Sequence, residues 1–363
     1  RGRHCERFFR PAQESAVQLV RCTLTVPGVW WDHSPDAHGA CTVVGSDSAR
    51  LGGMDSKQCG RSGLYLSSIG LGTLTWGRDT DAPEALEMLS HFVDAGGSLL
   101  ECSPSHGDGM AVDVVSEAVA SVGRHRVVLA WRGGMRRASE GTWVGAAGRG
   151  DLLRSLDDAL ARLDTDYVDV WLVEPRPEVP LEETLEAATL AYRSGRARYV
   201  GLSRSSHWQL AEAVTRGAVG VSAPITLVEF PFSLVDAACA STVAELASRG
   251  VGVLAASALA GGALTGKYRH TTPADSRAAS PHLRHMVEPY LSGFARSIIE
   301  ATHRAASGLD RPTGDVALAW VRDYPGISSA LVGPRTARQL DTLLEYTAAL
   351  PAPIREVLSE VAQ

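Results

Sequence analysis

Four ionisable residues stand at or just beyond the ends of short apolar runs: Glu101, His106, Arg132 and Glu174. A carboxylate and a guanidinium so placed can pair. A histidine with an unperturbed pKa of about 6.5 can give up a proton as imidazolium. Arg132 beside that ring would lower its pKa and Glu174 would raise it. Any one of these residues reads most simply as a solvated charge or half of an ion pair. Four of them converging on one mouth point instead to a site for acid/base chemistry. Cys102, next to Glu101, could serve as a nucleophile, but a buried small residue is the simpler reading.

Such a mouth requires a particular scaffold, and the sequence supplies its parts. Strand-like apolar runs recur at 68–73, 98–102, 126–131, 168–173, 197–202, 223–228, 252–256 and 328–333. Amphipathic helical patterns intervene, at 83–95, 151–163, 181–193, 207–216, 237–248 and 336–349 among others. Apolar strands alternating with helices are parallel βαβ units, and eight of them close into a (β/α)8 TIM barrel whose active site lies at the C-terminal strand ends. A doubly wound sheet is disfavoured, because Gly70-Leu71-Gly72-Thr73-Leu74-Thr75 lacks the third glycine of a dinucleotide fingerprint. Ahead of the first strand, Gly60-Arg61-Ser62-Gly63 between short flanks predicts an N-terminal hairpin. Residues 1–53 have neither helical nor strand periodicity and are expected to be a disordered or non-native extension, with the barrel spanning 54–363.

The whole chain of 363 residues is 45% hydrophobic and 21% charged, with a formal net charge of −6. That composition suits a globular protein with a sizeable core. It lacks the basic surplus that phosphate backbones demand, so a small-molecule substrate is expected rather than a nucleic acid. No apolar run is long enough to span a bilayer. Six scattered cysteines without a CxxC read as reduced thiols, hence a cytoplasmic protein. Gly261 to Tyr268 nearly spells a P-loop, but Tyr268 stands where Ser or Thr would reach Mg²⁺. His282 and His285 lack a third ligand, so no metal is expected.

From Met54 onward the sequence resembles the aldo-keto reductases. The matching strings are Gly70-Leu71-Gly72-Thr73 with Thr75-Trp76-Gly77, Phe92 to Gly97, Leu163 to Asp169, Arg198 to Ser203, Leu264 to Tyr268, Val316 to Trp320, and Gly333-Pro334-Arg335-Thr336. The resemblance implies the barrel fold and reduction of a carbonyl by a nicotinamide cofactor, NADP. Members of the family use an Asp, Tyr, Lys and His tetrad; here the Asp falls on Glu101, the Tyr on His106, the Lys on Arg132 and the His on Glu174, so all four are exchanged. A glutamate at the histidine position is similar to members that reduce a double bond conjugated to a carbonyl.

The implied cofactor contacts are better kept. Ser203 stands where the nicotinamide amide is held, while Arg204 and Leu227 replace an asparagine and a glutamine. Ser257, Leu259, Gly261 and Gly262 match the pyrophosphate loop, with Lys267 beside them. Arg335, Thr336 and Gln339 match the grip on the adenosine 2′-phosphate, with Leu343 in place of an asparagine. Gly72, Thr73 and Gly333, within the matched strings, complete the set. The expected function is an NADP-dependent oxidoreductase with altered acid/base residues, acting on a small carbonyl or conjugated carbonyl compound. Two alternatives stand beside it: a redox-neutral dehydratase or isomerase, and a non-catalytic NADP-binding regulatory protein.

Overall fold

The computed structural model describes residues 54–291, 293–345 and 348–362, so the proposed extension lies outside the described residues. Eight parallel strands close into a barrel: β1 (Ile69–Gly72), β2 (Leu99–Cys102), β3 (Val128–Gly133), β4 (Val168–Val173), β5 (Ala197–Ser203), β6 (Ile225–Pro231), β7 (Gly252–Ala256) and β8 (Ile327–Val332). Each pairs with its sequence neighbours, and β8 closes on β1 through Ala330 opposite Ile69. The expected (β/α)8 barrel is therefore present. Its strands lie within two or three residues of the predicted runs.

Around the barrel are α1 (Ala82–Asp94), α2 (Ala111–Val122), α3 (Arg149–Arg162), α4 (Leu181–Arg193), α5 (His207–Ala218), α6 (Ala240–Ser248), α7 (Gly293–Gly308), α8 (Thr313–Arg322), α9 (Ala337–Leu344) and α10 (Ala352–Val361). Local chemistry fixes several starts. Asp81 caps α1 by accepting from Glu84 N–H, with Pro83 in the first turn. Ser206 and Gln209 form a reciprocal capping box on α5. Thr336 caps α9 by accepting from Gln339 N–H. The hairpin is also present, as Ser56–Gln58 paired antiparallel with Tyr65–Ser67. Its turn needs a glycine at 60: φ is +56° there, and a Cβ would strike the carbonyl of Gly250.

Strand periodicity of two sorts the side chains into layers. Leu99, Ala130, Leu172, Leu227, Leu254 and Leu331 fill the barrel interior, and Cys59, Leu64 and Leu66 of the hairpin segment join the same apolar cluster. Fully burying each large aliphatic side chain contributes about 1.5–3 kcal/mol. Two residues further along β2, β3 and β6, and just past the end of β4, the same phase reaches Glu101, Arg132, Glu229 and Glu174. The apolar layer thus ends where an ionic one begins. Gly72 pairs with Glu101, Arg132 with Leu172, and Glu229 with both Ser203 and Leu254.

Candidate active site in the barrel mouth

Arg132 is the hub of the ionic layer. Its Nε donates to Glu101 Oε1 at 3.1 Å and its Nη2 donates to His106 Nε2 at 2.8 Å. Glu174 Oε2 lies 4.0 Å from Nη1, and Glu229 Oε2 lies 3.9 Å from Nε. All five side chains are buried. One guanidinium therefore stands among three carboxylates and an imidazole. Burial opposes its charge, but Glu101 and Glu229 more than compensate, so Arg132 stays protonated.

These contacts assign the histidine tautomer. A guanidinium only donates, so Nε2 must accept and the ring proton must sit on Nδ1. Nδ1 then donates to Thr73 Oγ1 at 3.1 Å. Burial, together with Arg132 and Arg204, pushes the His106 pKa down to about 4, against the pull of Glu101. The ring is neutral at physiological pH, with both nitrogens engaged. Burial also favours a neutral Glu101, but the charge and hydrogen bond of the Arg132 guanidinium, with Arg204 behind it, hold that carboxyl below its ordinary range. Cys102 is fully buried, and burial pushes its thiol up to about 12, so it is no nucleophile.

A cavity of about 120 Å³ opens on this layer, lined by Gly72, Glu101, His106, Arg132, Arg204, Glu229, Ser257, Gly261, Arg277 and Gly333 among others. Three of the four expected acid/base residues face it. Glu174 does not. It is drawn aside by Arg176, whose Nη2 lies 2.8 Å from Glu174 Oε1. Glu229, absent from the sequence-based set, lines the cavity instead.

A second cavity, of about 320 Å³, adjoins the first. Ser257, Gly261, Arg277, Val332 and Gly333 line both, so the two form one groove leading away from the mouth. Seven of the expected cofactor residues border the second cavity: Ser257, Leu259, Gly261, Gly262, Gly333, Arg335 and Gln339. Lys267 and Leu343 lie there too. Thr336 and Gln339 border a further depression at the start of α9. Thr73 and Ser203 are buried behind the groove, and Leu227 belongs to the apolar layer below it.

Several features fit a dinucleotide in this groove. Ser203 Oγ is buried without a hydrogen-bond partner. Gly261 and Gly262 adopt φ of +65° and +98°, and a Cβ on Gly261 would press on Val287 at 3.0 Å. Arg204, Ser257 and Ala260, none of them glycine, are also held in the left-handed region, at a cost of about 1 kcal/mol or more each. Such strain gathers where backbone must approach a ligand. Arg277, which sequence reasoning missed, donates from Nη2 to the Gly333 carbonyl at 2.6 Å and borders both cavities. Its place in an irregular segment after the expected pyrophosphate loop gave no periodic signal.

At the far end the fit is mixed. Arg335 donates to the Asp275 carbonyl, and its Nη2 is 4.0 Å from Asp79. Glu84 accepts the N–H of Ala337 in the first turn of α9, and Glu87 and Asp275 border the same depression. Carboxylates here oppose a phosphate, although Arg335 favours one. Among the described residues no cluster of His, Cys, Asp or Glu could hold a metal, and no helix is long and apolar enough to cross a membrane.

Comparison with known proteins agrees with this architecture. A fold neighbour is an aldo-keto reductase from Bacillus halodurans in its holo form, with a TM-score of 0.70 and 22% identity over 85% of this chain and 97% of that one. Another is a thermostable aldo-keto reductase in complex with the inhibitor epalrestat, with a TM-score of 0.66 and 24% identity over 85% and 100%. In sequence, aldo-keto reductase YhdN of Bacillus subtilis is 28% identical, covering 79% of this chain and 86% of its own. A probable voltage-gated potassium channel subunit beta of Oryza sativa is 29% identical, covering 85% and 95%. The model of the Aldo/keto reductase family matches residues 68–357, and the chain belongs to that family of oxidoreductases.

Proposed function

We propose that this chain is an NADP-dependent oxidoreductase that reduces a small carbonyl or conjugated carbonyl compound with an altered acid/base set. The observation that carries the reading is the continuity of the groove. A cavity on the Arg132 layer shares Ser257, Gly261, Arg277 and Gly333 with one that reaches Arg335 and Gln339. In this reading Gly72, Thr73, Ser203, Arg204 and Gly333 surround the nicotinamide end. Ser257, Leu259, Gly261 and Gly262 cradle the pyrophosphate, aided by the cation of Arg277. Arg335, Thr336 and Gln339 take the adenosine phosphate. The bound dinucleotide would supply hydride.

The chain's own residues orient the substrate and set its electrostatics. Arg132 faces the cavity with a permanent charge, fixed by Glu101 on one side and by neutral His106 on the other. A polarised carbonyl oxygen near that guanidinium gains negative charge during reduction, which the cation stabilises. Glu174 sets the local field from behind the cavity, where Arg176 holds it. Titration with NADPH, followed by quenching of intrinsic fluorescence and by calorimetry, tests the reading. Saturable binding lost in Arg277→Ala is expected, together with aldehyde-dependent oxidation of NADPH. No binding at millimolar cofactor would sink the oxidoreductase reading, and binding without any turnover would favour a regulatory NADP-binding protein.

A further inference from the structure

Protonating a carbonyl oxygen requires a side chain that faces the ligand and carries a removable proton near neutral pH. Most ionisable groups of the mouth fail one condition. His106 is neutral with both nitrogens engaged, and Arg132 does not release its proton. Glu101 is ionised against Arg132, and Glu174 is turned away from the cavity toward Arg176.

Glu229 meets both conditions. It lies on β6 two residues beyond Leu227, on the same inward face, and borders the cavity while only 4% exposed. Its Oε2 is buried without a hydrogen-bond partner. The nearest cation, Arg132, is 3.9 Å away and already bonded to Glu101 and His106. The charged groups that act on it are Arg132 from β3, Glu101 from β2, Arg204 after β5 and Glu174 after β4. From β7, Ala256 and Ser257 border the same cavity and bring no charge. One guanidinium cannot neutralise three carboxylates. Glu174 Oε2 also lacks a hydrogen bond, but its Oε1 lies 2.8 Å from the cation of Arg176. Glu229, with no cation nearer than 3.9 Å among the described residues, is therefore the one that takes up a proton. Burial pushes the Glu229 carboxyl up to about 7, with Arg132 opposing and Glu101 reinforcing.

We propose that Glu229 is the proton donor of this site, giving the hydrogen of its neutral carboxyl to the oxygen of a small carbonyl ligand. The inference rests on the reductase reading. The carbonyl π bond breaks as its carbon gains hydride, with both electrons, from reduced nicotinamide dinucleotide. The oxygen gains the proton of Glu229, a new C–H and a new O–H bond form, and the dinucleotide is oxidised. The Glu229 carboxylate then regains a proton from water.

Infrared spectra of the full chain between about pH 6 and pH 8 test the assignment apart from activity. The carbonyl stretch of a neutral carboxylic acid should be present at about pH 6 and fade by about pH 8. It should be absent from Glu229→Gln and retained in Glu174→Gln. Its survival in Glu229→Gln, or its absence from the wild type at pH 6, would overturn the proposal. In NADPH-dependent reduction of a small aromatic aldehyde, the wild-type rate should fall as pH rises through about 7. Glu229→Gln should lose that limb and about 10²- to 10⁴-fold in rate. Should the glutamine variant not fold, Glu229→Asp keeps the acid and should retain both the band and the limb. Turnover with an unchanged limb in Glu229→Gln would overturn the donor role alone. Absence of wild-type turnover would overturn the reductase reading and the donor role with it.

Discussion

Replacing His106 by glutamine gives a direct measure of how the ionic layer treats a proton. The amide oxygen can accept from Arg132 Nη2 and the amide nitrogen can donate to Thr73 Oγ1, so Gln reproduces both bonds of the neutral ring but cannot ionise. In the wild type, burial and the neighbouring arginines take the ring from 6.5 down to about 4. Between these values the unfolded chain binds a proton that the folded chain refuses. Stability from this group is therefore full above about pH 6.5 and is lost as pH falls toward 4. At about 1.4 kcal/mol per pH unit, the loss is roughly 2 kcal/mol at pH 5 and about 3 kcal/mol at pH 4. Urea unfolding followed by tryptophan fluorescence, run on both proteins at pH 7, 6 and 5, isolates this effect, because other titrations cancel in the difference. The wild type should lose about 2 kcal/mol relative to His106→Gln between pH 7 and 5. A constant difference would show that the ring titrates normally, and the assigned tautomer and the exclusion of His106 as the acid would both be wrong.

Three further outcomes follow from the same geometry. Arg132→Met should cost about 3–5 kcal/mol in urea unfolding at pH 7, since it strands the buried Glu101 carboxylate; adding Glu101→Gln should recover much of it, and a loss below about 1 kcal/mol would deny Arg132 its place as hub. NADPH should bind more tightly than NADH, by about tenfold from a charge-assisted contact of about 1.5 kcal/mol or more; calorimetry should show the preference lost in Arg335→Ala, and its persistence there would place the phosphate elsewhere. Glu84→Gln should raise that preference about two- to fivefold, because it removes a carboxylate from the first turn of α9; an unchanged ratio would mean the phosphate never meets that turn.

The barrel was legible because its strands are short apolar runs between punctuated helices, and β4 and β7 coincide with the predicted residues 168–173 and 252–256. Two of the helices not named from the sequence hid for physical reasons. α8 is buried on every side, so Val316 to Trp320 carry no amphipathic stripe. α2 is rich in valine, which reads equally well as strand.

The site was legible to the extent that it follows strand phase. Glu101 and Arg132 face inward two residues beyond Leu99 and Ala130, and the same rule reaches Glu229 from Leu227. Glu229 was missed because the sixth predicted run stops at Val228, whereas β6 continues to Pro231. Extending a strand by one residue thus exchanges the identity of the acid. What strand phase cannot supply is which carboxylate of the layer keeps a partner. That depends on Arg176, just beyond β4, drawing Glu174 aside, and on Arg132 spending its short contacts on Glu101 and His106. Both outcomes are set by side-chain reach between different strands rather than by any spacing along one. The carboxylate left without a cation of its own is therefore visible only once the barrel has closed.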